Sequence, residues 1–147
     1  MATVEFAVIA PLFLTLLLGS VEMGRALDFA TRLTSAVREG GRLAAMDLGG
    51  LELNGATANE KVVQDIKNML AASGLSPDDV TISITHAEGP NEGDEFDLTD
   101  RDNYLELFRI SAELDYSTVA VTPLHHRAGR NIVSSLVFRK GRSRLTN

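Results

Sequence analysis

The 147-residue sequence contains no cysteine, and its basic residues are outnumbered by acidic ones, 14 against 20. Without cysteine, neither a disulfide bond nor thiolate chemistry is possible. The resulting net charge of −6 argues against nucleic-acid binding, because a protein that binds phosphates usually presents an excess of positive charge. The length is sufficient for one domain.

Recognisable catalytic patterns are also absent from the sequence. There is no HExxH or GxSxG motif and no glycine-rich loop of the phosphate-binding kind. The three histidines are His86, at the end of a predicted strand, and the adjacent His125 and His126, which follow Pro123 in a predicted loop. Two adjacent histidines cannot share one face of a helix as metal ligands. We therefore expect no enzymatic activity, no cofactor and no catalytic metal.

The most distinctive stretch present is residues 1–21, in which Glu5 is the only charged side chain. A helix of this length spans roughly 30 Å, the thickness of the hydrocarbon core of a bilayer. This segment must therefore anchor in a membrane, pack against copies of itself, or do both. The predicted membrane or filament-core residues are Phe6, Val8, Ile9, Pro11, Leu12, Phe13, Leu14, Leu16, Leu17, Leu18 and Val21.

Glu5 is the exception within this segment, since a carboxylate in an apolar environment is costly and needs a partner. In one interpretation, Glu5 lies at the membrane interface and stabilises the positive end of the helix dipole. In the other, Glu5 pairs with the free amine at Met1 of another subunit. Pro11 also has two interpretations: an ordinary proline of a membrane helix, or a point where the helix bends.

The helical pattern continues to Met46, so residues 1–46 are predicted to form one helix. Its second half is amphipathic, and Gly40 and Gly41 would allow another element to approach closely. The predicted inward positions are Met23, Ala26, Leu27, Ala30, Leu33, Val37 and Ala44, and the predicted polar face consists of Glu22, Arg25, Asp28, Arg32, Arg38, Glu39 and Arg42.

Residues 47–147 are predicted to form a small head of one further helix and three strands. Thr57 and Glu60 have the spacing of a capping box, and Gly74 ends the helix that follows. Period-two alternation predicts strands near residues 80–85 and 108–116, and the run IVSSLVF predicts a third strand at residues 131–139. The fold class is therefore α+β, with a three-stranded antiparallel sheet covering the amphipathic half of the long helix.

The head carries charges of opposite sign in two stretches. Residues 88–102 contain seven acids and one arginine, whereas residues 117–147 contain six basic residues, including Lys140, and no acid. The acidic stretch is interpreted as a solvated loop, with a calcium site as the alternative. The basic tail is either a solvated terminus or a surface that meets the acidic loop of a neighbouring subunit.

The stretch ATVEFAVIAPLFLTLLLGSVEMGRAL, followed by AVREGGRLAA at residues 36–45, resembles the TadE-like family of tight-adherence pilus proteins, which are type IV pilin-like. The resemblance covers about the first third of the chain, and Gly41 replaces the alanine of the family pattern. The matching positions are Glu5, Phe6, Ala7, Pro11, Gly24, Arg25, Arg38, Glu39, Gly40 and Arg42.

The resemblance implies a pilin-like subunit, residues 1–147 forming a single domain, that polymerises with identical subunits into an extracellular helical filament for surface attachment. It implies an inner-membrane pool before assembly, a prepilin peptidase that removes a leader, and a pilus assembly machinery. It also implies that Glu5 neutralises the Met1 amine of an adjacent subunit, and that a chain with Glu5 in fifth position is the processed form. The alternatives are a minor pseudopilin that primes or tips a filament, and a membrane-anchored binding module that does not polymerise.

Overall fold

The structure, a computed structural model, describes residues 2–46, 55–118 and 131–141. Helix α1 (Ala2–Ala45) is followed by α2 (Ala58–Ala72), a short 3-10 turn (Pro77–Asp79) and strand β1 (Val80–His86). Strand β2 (Leu107–Asp115), a second 3-10 turn (Tyr116–Thr118) and strand β3 (Asn131–Arg139) complete the head. The predicted α+β layout, with a long apolar N-terminal helix, one further helix and three strands, is confirmed.

Helix α1 runs without interruption through Pro11 and has 44 residues, which corresponds to a rod of about 66 Å. It ends at Ala45, one residue before the predicted end at Met46. The assignment of residues 1–147 to a single pilin-like domain stays a prediction.

Helix α2 begins at the predicted capping box. The Glu60 amide donates to Thr57 Oγ1 over 3.2 Å, and the Thr57 amide donates to Glu60 Oε2 over 2.7 Å. Two free amides of the first turn are thereby satisfied. The helix is followed by Gly74, whose φ of +84° is the left-handed conformation that glycine adopts without strain. The buried stripe of α2 consists of Ala58, Val62, Ile66 and Leu70.

The three strands form an antiparallel sheet in the order β1-β2-β3. The predicted alternation is confirmed on β2, where Phe108, Ile110, Ala112 and Leu114 are all fully buried. Their neighbours in the sequence point to the other face, where Ser111 Oγ donates to Ser135 Oγ over 3.0 Å. The face of the sheet that covers α1 is therefore mostly apolar, and the other face is mostly polar, with Val133 and Val137 exposed on it.

The head packs on the second half of α1, where Leu33, Val37 and Ala44 are fully buried. Gly40 and Gly41 make the closest approach: a Cβ on Gly40 would lie 2.2 Å from Ile66 Cγ1, and one on Gly41 would lie 2.1 Å from Phe138 Cε2. One glycine thus faces α2 and the other faces β3. The predicted close approach at this pair is confirmed.

The predicted division of α1 into an inward stripe and a polar face is wrong at three residues. Met23 and Leu27 were assigned to the inward stripe but are 64% and 61% exposed, because the sheet does not extend over their side of the helix. Glu22 was assigned to the polar face but is buried, because the end of β2 lies against it. The amphipathic contact with the head therefore narrows towards the apolar half of α1.

Candidate assembly segment and its junction with the head

The apolar half of α1 stands clear of the head. Its large side chains are between 45% and 73% exposed, and they surround the helix rather than forming one stripe. Among the described residues, α1 is the one helix long and apolar enough to cross a membrane, and none of its most apolar window is buried within the chain. The exposed predicted residues are Phe6, Val8, Ile9, Leu12, Phe13, Leu14, Leu16, Leu17, Leu18 and Val21.

Two hydroxyl groups within this apolar stretch are satisfied by the helix itself. Thr15 Oγ1 donates to the carbonyl of Pro11 over 2.8 Å, and Ser20 Oγ donates to the carbonyl of Leu16 over 2.9 Å. Such bonds to the residue four positions back let hydroxyl groups enter an apolar environment at little cost. Neither hydroxyl therefore opposes burial of this stretch in a membrane or among other helices.

Glu5 lies in the first turns of α1 and is exposed, next to the exposed Phe6. Met1, the other residue of the predicted assembly contact, lies outside the described residues. The predicted pairing of the Glu5 carboxylate with an amine of another subunit therefore stays a prediction, as does the alternative of an interfacial position.

The end of the apolar stretch is joined to the head by a buried hydrogen bond. Tyr116 Oη donates to Glu22 Oε1 over 2.9 Å and to the Glu22 carbonyl oxygen over 3.2 Å. Burial raises the pKa of the Tyr116 hydroxyl above its ordinary value, and the hydrogen bond to the Glu22 carboxylate raises it further. The predicted strand near residues 108–116 includes Tyr116, but the strand pattern does not identify its hydrogen-bond partner. The available signal was that a buried tyrosine hydroxyl usually has a hydrogen-bond partner.

A groove of about 320 Å³ lies beside this hydrogen bond. Helix α1 contributes Gly19, Met23 and Ala26 to its walls, and the head contributes Asn131 and Ile132. Most of this surface is apolar, although it adjoins the buried Glu22 carboxylate. The head is therefore less closely packed on α1 here than it is at Gly40 and Gly41.

The far end of α1 is capped by residues that follow β3. Lys140 is fully buried, and its Nζ donates to the carbonyl of Ala44 over 3.0 Å and to that of Met46 over 2.7 Å. The amide of Gly141 donates to the carbonyl of Ala45 over 2.8 Å. These donors satisfy carbonyls that a helix end leaves free, and the ammonium group complements the negative end of the helix dipole. The interpretation of Lys140 as part of a solvated or intersubunit tail is wrong. The prediction for Arg127, Arg130, Arg142 and Arg144 concerns positions outside the described residues.

The acidic stretch 88–102 is exposed at all seven acids, as the solvated-loop interpretation predicts, but two of its apolar residues are anchored in the core. Phe96 and Leu98 are fully buried within it. The Asn59 side chain donates to the Phe96 carbonyl over 2.7 Å and accepts from the Leu98 amide over 3.0 Å. In the parts of the chain that the structure describes, which include all of this stretch, no three histidine or acidic side chains are grouped closely enough to hold a metal ion.

His86 packs into the core beside the acidic stretch. Its ring contacts Phe96 edge-on, with a centroid distance of 4.7 Å, and its Nδ1 lies 3.4 Å from Glu106 Oε2. His125 and His126 lie outside the described residues.

Comparison with known proteins identifies the N-terminal part of the chain. The family model described as TadE-like protein matches residues 1–42. Residues 1–42 are thus similar to the TadE-like family. No curated protein and no solved structure matches the chain. The resemblance predicted from Glu5, Pro11 and the glycine–arginine pairs is thus confirmed over nearly the whole of α1.

The TadE-like segment, residues 1–42, contains both the exposed apolar stretch and most of the α1 surface that carries the head. The matched residues are similar to a TadE-like protein, and the helix they form is long and apolar enough to cross a membrane. The strands and α2 lie outside the matched residues.

Proposed function

We propose that the protein is a structural, non-enzymatic pilin-like subunit that polymerises through α1 into an extracellular tight-adherence filament. The single observation that carries the proposal is the exposed apolar half of α1, attached to a head whose core is complete without it. The TadE-like match of the same segment supports a pilus-related role. Before assembly, the same apolar surface would hold the subunit in the inner membrane.

The size of this surface explains why it needs a partner. Eleven large apolar side chains from Val4 to Val21 are about half exposed or more. Covering such side chains contributes about 1.5–3 kcal/mol each when burial is complete, so the partly exposed set represents roughly 10–20 kcal/mol. This is comparable with the whole stability of a typical domain, so the segment is not left in water. A bilayer and a bundle of identical helices both remove this cost.

We propose that the Glu5 carboxylate has different surroundings in the membrane and in the helix bundle. In a membrane its carboxylate can remain at the interface, whereas within a bundle of helices it needs a counter-charge. We propose that the counter-charge is the free amine of an adjacent subunit, exposed after a prepilin peptidase removes a leader. The pilus assembly machinery would then transfer the subunit from the membrane to the filament.

The test is electron microscopy of filaments sheared from cells, with the chain quantified in them by mass spectrometry. Wild-type protein is expected to dominate the filaments, and Glu5→Gln is expected to leave membrane insertion intact but to abolish incorporation. The control is Glu88→Gln, which changes an exposed glutamate of the head outside the residues that carry the resemblance and should incorporate normally.

Each other result points to a different function. Trace amounts in filaments built from another protein would indicate a minor pseudopilin, and a chain confined to the membrane fraction would indicate an anchored binding module. Normal incorporation of Glu5→Gln would contradict the proposed role of Glu5 while leaving polymerisation intact.

A further inference from the structure

The contact between the head and α1 differs sharply between its two ends. At the distal end, Gly40 and Gly41 leave no room for a Cβ, and Lys140 and Gly141 bond to the last carbonyls of the helix. At the proximal end, Tyr116 bonds to Glu22 beside a groove of about 320 Å³. The distal end is close-packed, whereas the proximal end combines a hydrogen bond with an open groove.

The spacing of buried residues along α1 shows the same asymmetry. Glu22 is buried, and the next buried residue along the described helix is Leu33, about 16 Å further along the axis. Between them, Ala26, Phe29 and Ala30 are half-buried and the other positions are exposed. Over these three turns, the described residues bury little apolar area between the head and α1, and Arg32 adds a hydrogen bond to the Ser73 carbonyl at the distal end of the interval.

We propose that the hydrogen bond between Tyr116 and Glu22 is a latch that holds the proximal end of the head against α1. When the latch is broken, the proximal end separates from α1 while the distal end remains packed. Local opening of this kind is expected where few buried apolar contacts support an element. The latch joins residues 94 positions apart at the first residue after the apolar segment, so it fixes the orientation of the head relative to that segment.

The latch does not depend on polymerisation. It is a property of one subunit, and it applies equally to a filament subunit, a minor pseudopilin or an anchored module. Its test therefore requires no filament, and its failure would leave the proposed function unaffected.

The test measures distances within the full-length chain in detergent micelles by electron spin resonance. The chain has no native cysteine, so two introduced cysteines place the spin labels uniquely. The proximal pair is Leu27→Cys with Val133→Cys, and the distal reference pair is Arg38→Cys with Val137→Cys; all four side chains are exposed.

Tyr116→Phe removes the hydroxyl donor while keeping the ring. Loss of one hydrogen bond to a carboxylate predicts a rise on the order of tenfold or more in the population of the separated state. We expect the proximal distance distribution to broaden towards longer distances and the distal distribution to stay unchanged. Glu22→Leu removes the carboxylate acceptor but keeps the backbone carbonyl that also accepts from Tyr116, so it should broaden the proximal distribution less than Tyr116→Phe does. Glu22→Gln keeps a side-chain oxygen acceptor and should preserve the wild-type distribution.

The matched control is Tyr104→Phe, which removes the hydroxyl of the other tyrosine, half-exposed in a loop of the head, and should leave both distributions unchanged. The proposal is overturned if Tyr116→Phe leaves the proximal distribution unchanged. It is also overturned if both distributions broaden together, since the head would then loosen as a whole. Broadening in Glu22→Gln equal to that in Glu22→Leu would show that charge, and not the hydrogen bond, holds the contact.

Discussion

Replacing a glycine of α1 by alanine should change the free energy of unfolding in opposite directions at Gly40 and at Gly24. At Gly40, the new Cβ would lie 2.2 Å from Ile66 Cγ1 and 2.5 Å from Ile66 Cδ1, well inside van der Waals contact. At Gly24, nothing lies within 4 Å of the position that a Cβ would take. The same substitution in the same helix therefore separates packing from helix propensity.

The expected magnitudes follow from these two terms. Alanine is favoured over glycine within a helix by about 0.8–1 kcal/mol, so Gly24→Ala should raise the free energy of unfolding by up to that amount. At Gly40 the same gain is opposed by overpacking of about 1–3 kcal/mol or more, because Cγ1 of Ile66 lies too close to its own backbone to move far. Gly40→Ala should therefore lower the free energy of unfolding by roughly 1–2 kcal/mol.

The assay is urea unfolding of the full chain in detergent micelles, followed by far-ultraviolet circular dichroism. Combining Gly40→Ala with Ile66→Ala completes a double-mutant cycle, since Ile66→Ala removes both clashing atoms. The double variant should be more stable than the sum of the single effects predicts, because the added methyl group fills part of the space vacated by Ile66. Additive effects, or a Gly40→Ala variant as stable as Gly24→Ala, would refute the close packing of α1 against α2.

Three further predictions concern the head. Lys140→Met should lower the free energy of unfolding by about 1–3 kcal/mol in the same assay, because the Ala44 and Met46 carbonyls lose their hydrogen-bond donor. The control is Lys67→Met, at a half-exposed position of α2, which should have little effect. Asn59→Ala should speed hydrogen exchange of the Leu98 amide while leaving the amides of β2 protected; unchanged exchange at Leu98 would contradict the anchoring of the acidic stretch. The Thr99 hydroxyl and amide hydrogen bonds lower the pKa of Asp97 below 3.8, so Thr99→Val should raise that pKa in a carboxyl NMR titration. Since the pKa is lowered in the folded state, this contribution to stability is present above pH 3.8 and is lost as the pH falls below it; an unchanged pKa in Thr99→Val would contradict the assignment.

The parts of the fold that follow local rules could be predicted from the sequence. The capping box at Thr57, the stop at Gly74 and the alternation on β2 each depend on residues only a few positions apart, and each is confirmed. The apolar run before Glu22 required no tertiary information either, because its length and uniformity indicate a membrane or helix-bundle environment.

The predictions that are wrong concern residues whose surroundings depend on contacts with distant parts of the sequence. Whether Glu22 faces water or the head depends on the position of Tyr116, directly after β2 and 94 positions later in the sequence. Lys140 follows a strand and precedes several basic residues, so its sequence context indicates a solvated tail; its burial depends on where α1 ends beside it. In both cases a charged residue is buried because the fold supplies a hydrogen-bond partner, which local patterns do not show.

The extent of the TadE-like segment indicates which part of the molecule is general to the family model. The match ends at residue 42, beyond Leu33, Val37 and Gly40, so it includes the α1 surface on which the head is seated. It excludes α2 and all three strands, which form the other side of that contact. The matched residues therefore form a helix with two different halves. The first half is apolar and exposed, and the second half has glycines that let the head pack closely against it. The two halves join at Glu22 without a linker, and Tyr116 bonds to the helix at this junction.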